Sequence, residues 1–96
     1  MSERIEKLKD AVQVIHRCKA VHVSSNPVRE MFGEQVAWEG VVETFAISGH
    51  AKAKRCYAWS YPDGNETQFV TVLEIPPVES PQTAVRVAIA SSNPQS

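Results

Sequence analysis

Residues 54–75 read KRCYAWSYPDGNETQFVTVLEI, and the reversal in the middle of this run decides the fold. Tyr57, Trp59 and Tyr61 alternate with Cys56, Ala58 and Ser60. In an extended chain that alternation puts three rings on one face and three small residues on the other. Pro62-Asp63-Gly64-Asn65 then supplies the positive φ that a tight reversal needs. On the return, Phe69, Leu73 and Ile75 are set against Val70 and Val72, so that strand is partly apolar on both faces. The run therefore predicts two antiparallel strands, Lys54 to Tyr61 and Thr67 to Ile75.

Upstream, Gln35 to Ser48 is rich in Val, Trp, Thr, Phe and Ile and predicts a long strand. Its alternation slips: Val36 and Trp38 share one parity, while Val41, Phe45 and Ile47 share the other. A bulge at Gly40 would produce this shift. Asn26-Pro27 breaks the weaker alternation of Ala20 to Ser25, so the first strand is expected over residues 28–32, with Pro27 at its edge. Gly33-Glu34 is the turn between these two strands.

The ends of the chain read as helices. Ile5, Leu8, Val12 and Ile15 recur at helical spacing, which predicts an amphipathic helix over residues 2–18 with Ser2 as N-cap. At the other end, Val85, Val87 and Ile89 fit a strand as well as Ala84, Val85, Ala88 and Ile89 fit a helix. Ser80 followed by Pro81 is a helix-start pair and selects a helix over residues 81–91, with 92–96 as a frayed tail. Pro76-Pro77 separates this helix from the sheet. The expected fold class is a single α+β domain: N-terminal helix, four-stranded antiparallel meander sheet over residues 28–75, C-terminal helix.

Composition narrows the function classes. The chain has 96 residues and a formal charge of −1, with 43% apolar and 22% charged residues, as in an ordinary globular domain. No apolar run is long enough to cross a membrane, and the acidic amino terminus lacks the form of a secretory signal. A cytoplasmic protein with no membrane association is expected, whose Cys18 and Cys56 stay as thiols. A near-neutral chain also disfavours general nucleic-acid binding, which rests on phosphate neutralisation.

Several residues carry candidate chemistry. The basic turn His50, Lys52, Lys54 and Arg55 precedes the rings Tyr57, Trp59 and Tyr61, and cations beside rings are the ingredients of single-strand nucleic-acid recognition. The element order resembles the double-stranded RNA-binding domain in outline. It lacks that family's Gly-Pro loop between the first two strands and its Lys-Lys-x-Ala-Lys run opening the last helix. His50 with Cys56 suggests a thiol nucleophile activated by an imidazole, although six residues of extended strand separate them by roughly 20 Å. His16, Cys18 and His22 are zinc-binding types at a spacing that a helix would splay, so no metal is assigned. Glu39 and Glu43 read as solvated strand charges. No catalytic set converges, and no cofactor is expected.

Trp38-Glu39-Gly40-Val41-Val42-Glu43 with Phe45, then Gly49-His50, Lys54 to Ser60, Ile75-Pro76-Pro77 and Ser80-Pro81, resembles a small family of uncharacterised bacterial proteins over residues 20–90. The resemblance implies a bacterial cytosolic origin and carries no activity, cofactor or site residues with it.

Two helices would cover one face of such a sheet and leave bulky apolar residues on the other. The leading expectation is a non-catalytic binding or interaction module that forms a homodimer through the uncovered face. The binding residues expected are His50, Lys52, Lys54, Arg55, Tyr57, Trp59 and Tyr61. The alternatives are a nucleic-acid-binding module built on the basic turn and aromatic strand, and a small enzyme using His50 or Cys56.

Overall fold

In the computed structural model, which describes residues 3–92, the chain runs α1 (Glu3–His16), β1 (Lys19–Phe32), β2 (Gln35–Ser48), β3 (Arg55–Asp63), β4 (Glu66–Leu73) and α2 (Pro81–Ser92). The four strands form one antiparallel sheet in the order β1-β2-β3-β4, giving the α+β meander. Ser2 and residues 93–96 of the expected tail lie outside the described residues. Among the described residues no helix is long and apolar enough to cross a membrane.

The first strand is much longer than residues 28–32. It starts at Lys19 and carries Asn26-Pro27 in register, with Pro27 opposite Val41. Proline is tolerated there because β1 is an edge strand, where a missing N–H need not break a ladder. The bulge expected at Gly40 is also absent from that position, since Gly40 pairs in register with Val28. The irregularities fall at Val23, between His22 and Ser24, and in β2 at Ala37, between Val36 and Trp38. Gly40 serves a different need: the Trp38 indole folds back across it, and a Cβ at Gly40 would lie 2.9 Å from the ring. The two hairpins turn on Gly33 and Gly64, both at positive φ and both first in a two-residue loop.

The larger correction concerns the helices, which lie on opposite faces. Leu8 and Val12 of α1 pack with Ala20, Phe45, Ile47, Cys56 and Ala58 on the first face. Ala84 and Val85 of α2 pack with Val28, Val42, Tyr57 and Trp59 on the second. Each face carries a helix, so a wholly uncovered face like the one expected to carry a homodimer is not found, although Met31, Phe32, Val36 and Val41 stay exposed toward the β1–β2 turn. Strands apolar on both sides are what a sheet sandwiched between helices requires. The small residues Ala58 and Cys56 let α1 approach one side of β3, and the rings of Tyr57 and Trp59 fill the other. Burying Leu8 and Val12 stabilises the α1 layer by roughly 1.5–3 kcal/mol each.

The apolar stripe of α1 ends differently from its sequence pattern. Ile15 faces solvent, and His16, three turns on from Ile5, takes the inward position with Nε2 2.9 Å from Thr71 Oγ1. The helix stops where Arg17 adopts φ 53° and the Cys18 N–H reaches back to the Gln13 carbonyl at 3.3 Å. This closure normally uses glycine. At α2, Ser80 Oγ accepts the Thr83 N–H at 3.2 Å while Thr83 Oγ1 accepts the Ser80 N–H at 2.9 Å, a reciprocal cap that bears out the Ser80-Pro81 start.

The Arg17 conformation makes a prediction. Arg17→Gly should stabilise the protein by about 0.5–1 kcal/mol, because glycine enters the left-handed region without a Cβ penalty. A urea midpoint unchanged or lowered in the variant would show that the helix end is not held in this way.

Candidate functional site

The sheet is a fork. β1 and β2 pair along their whole length, and β3 and β4 pair from Cys56↔Leu73 to Asp63↔Glu66, but β2 and β3 pair only from Ala46↔Arg55 to Glu43↔Ala58. Beyond Glu43 and Ala58 the two hairpins diverge, and each face of the fork is filled differently.

On the α1 face the fork is closed by charge. Glu43 is 1% exposed and belongs to the inward parity of Phe45 and Ile47. Its carboxylate accepts hydrogen bonds from Arg4 Nη1 and Ser25 Oγ, each at 2.5 Å, and lies 2.8 Å from His22 Nε2. Arg4 Nη2 also donates to the Val41 carbonyl at 3.0 Å, at the point where β2 has lost its β3 partner. Burial pushes the Glu43 carboxyl upward, but the hydrogen bonds from Ser25, Arg4 and His22 outweigh it and hold the group below the ordinary carboxylate range. Glu43 is therefore not a solvated strand charge. Glu39, exposed and paired with Arg29 at 2.9 Å, is one.

On the α2 face the fork opens into a groove of about 440 Å³ walled by Trp38, Trp59, Tyr61, Val70, Val85, Ala88 and Ile89. Trp38 and Trp59 meet edge to face with centroids 5.6 Å apart, the arrangement that ring quadrupoles favour. Trp59 is buried, Trp38 half-buried, and Tyr61 remains 45% exposed at the mouth. The far side of the same layer is anchored by Glu30, which accepts from Arg86 Nε at 2.8 Å and from Gln82, and those two hydrogen bonds hold its carboxyl below its ordinary value. That clamp fixes α2 over the β1–β2 hairpin.

The structure brings together only part of the expected binding set. Trp59 and Tyr61 enter the groove, whereas His50, Lys52, Lys54 and Arg55 lie at the other end of β3. His50 is structural there: its Nδ1 accepts the Lys52 and Ala53 N–H groups, each at 3.1 Å. Burial, then the adjacent His50, lowers the His16 pKa. Lys52, Lys54 and Arg55 are exposed, but Tyr57 is 2% and Trp59 3% exposed, so neither ring can stack on a base beside those cations. The Tyr57 hydroxyl donates to Glu74, and burial together with that carboxylate pushes it up to about 12.

Cys56 has no exposed surface, and burial, then the nearby Cys18, pushes its thiol up to about 12. At neutral pH it is a protonated core side chain and not a thiolate. His16, Cys18 and His22 do not converge, since His16 bonds to Thr71 and His22 to Glu43.

Sequence reasoning missed Trp38 and Glu43. Each had a signal: Trp38 stands two residues before a glycine that can accommodate its ring, and Glu43 interrupts an apolar parity between Val41 and Phe45. Comparison of the chain with known protein families, with curated proteins and with solved structures finds no match.

Glu43→Gln should cost about 1–3 kcal/mol at neutral pH, because it removes the charge that Arg4 pairs with inside the fold. The wild-type contribution is complete above the unfolded carboxyl value of 4.5 and is lost as pH falls through the lower folded value. Urea denaturation between about pH 5 and about pH 3 should therefore weaken the wild type more than the variant. Equal acid sensitivity would show that Glu43 does not carry this term. At the groove, Gly40→Ala should displace the Trp38 indole, seen as a shifted tryptophan emission maximum with the fold retained; an unaltered spectrum would contradict the close approach of ring to backbone.

Proposed function

We propose that this protein is a non-catalytic binding module whose ligand is a small, flat, largely apolar molecule held in the groove at the fork. The observation that carries this reading is the composition of the walls: two indoles, a phenol and aliphatic side chains from β2, β3, β4 and α2, with no charged residue among them. A volume of about 440 Å³ lies within the range of small-molecule sites, which are mostly apolar with a few orienting polar groups. The Tyr61 hydroxyl at the mouth is one such group. A planar ring system would meet the exposed part of Trp38 and leave its polar edge toward Tyr61. Uncharged walls give a phosphate nothing to pair with, which favours a neutral ligand over a nucleotide.

The cleft is also held open by structure outside it. Arg4 and Glu43 occupy the opposite face of the fork, so closing the groove would require displacing an ion pair whose carboxylate is buried. Preorganisation of this kind lowers the ordering cost of binding.

Titration with N-phenyl-naphthylamine, a neutral planar fluorophore, should give saturable enhancement of the probe and energy transfer from tryptophan. Ala88→Phe, which fills the groove from α2, should weaken binding at least about tenfold, or about 1.4 kcal/mol. Probe binding that does not saturate, or that Ala88→Phe leaves unchanged in a folded protein, would remove this reading.

A further inference from the structure

The two edges of the sheet are built differently. β1 carries the devices that keep an edge from pairing with another chain: Pro27, a bulge at Val23, and the charged side chains Lys19, Arg29 and Glu30. β4 carries only one of them, the charge of Glu66 at its first residue. From Thr67 to Leu73 it has no charge, no proline and no glycine, and its ladder with β3 is unbroken. An apolar groove of about 490 Å³ follows this edge, with Val70 to Leu73 in the middle, His16 of α1 on one side and Val87 of α2 on the other.

We propose that a second copy of this chain pairs with β4, continuing the sheet across a twofold axis into eight strands. The occupant follows from the sequence of the edge itself. A twofold axis normal to the sheet makes the two β4 strands antiparallel and must pass through a residue opposite its own copy. With Thr71 at the axis, Val70 stands opposite Val72 and Phe69 opposite Leu73, while Gln68 faces Glu74. Apolar residues thus meet apolar residues on both faces, Thr71 meets Thr71, and no two like charges oppose each other, as favourable cross-strand pairing requires.

The same operation keeps the α2 helices on one face and the α1 helices on the other, so Val87 of each copy approaches the join. The area agrees with a stable pair. An eight-residue strand is about 26 Å long, and with a helix layer on each side the strip is roughly 25 Å deep. Each copy would bury on the order of 650 Å², close to the roughly 800 Å² per partner of a standard interface.

This inference does not rest on the ligand proposed above and is tested without one, although Val70 and Ala88 line both grooves. Sedimentation equilibrium from about 1 μM to about 100 μM should give twice the 10.6 kDa chain mass at the upper end. Thr71→Lys, which brings two ammonium groups together at the axis, should raise the dissociation constant at least about tenfold, whereas Phe32→Lys at the far hairpin should not change it. Amide exchange of the wild type gives a second reading that needs no variant: β4 amides should become more protected as concentration rises, and β1 amides should not. A single-chain mass at about 100 μM would overturn the proposal, as would concentration-dependent protection confined to β1.

Discussion

The two hairpins are joined by the short ladder of Glu43–Ala46 against Arg55–Ala58, extended by the Ile47 N–H to the Lys54 carbonyl at 2.9 Å. Everything else in the molecule depends on where that ladder stops. Because β3 leaves β2 at Ala58, the Val41 carbonyl and the Glu43 carboxylate would face a gap, and Arg4 fills it with one guanidinium group bonded to both. A buried carboxylate left without such partners would cost several kcal/mol, so α1 is tied to the fork by electrostatics as well as by the packing of Leu8 and Val12.

The opposite face answers the same divergence with rings. Trp38 turns back over Gly40 to meet Trp59, and α2 lies across the two hairpins through Val85 and the Glu30, Gln82 and Arg86 contacts. Aromatic side chains do not fill the space completely, since an edge-to-face pair leaves part of each ring without a neighbour. The groove is what remains. The aromatic residues of β3 thus divide by their distance from the ladder. Tyr57, beside it, is core and anchors Glu74. Trp59, just past it, is the floor of the groove, and Tyr61, at the open end, is its mouth.

The basic turn and the aromatic strand, adjacent in sequence, serve separate purposes. Lys52, Lys54 and Arg55 stay exposed at one end of β3, where water solvates their charges, while His50 satisfies the backbone of its own turn. Cys56 is similarly absorbed: a small, deeply buried thiol beneath α1 gives the helix room to approach and is too apolar in its surroundings to ionise. Proximity along an extended strand therefore says little about a shared site, because alternate residues face opposite layers and distant ones lie at opposite ends.

The sequence by itself determined the elements and their order. Helical spacing marked α1, Ser80-Pro81 marked the start of α2, and Gly33 and Gly64 placed both hairpin turns, because capping and turn chemistry act over a few residues and leave local traces. It also showed, in Val70, Val72, Leu73 and the split faces of β3, that the sheet is apolar on both sides. Tertiary structure alone decided that one helix goes to each face, that β1 runs through Pro27, and that β2 and β3 part after Glu43. The physical reason is that these depend on which strand lies at an edge and on which side each connection packs, properties of neighbours that are far apart in the chain. The inward glutamate and the groove beside Trp38 follow from that parting, and no local pattern could place their partners.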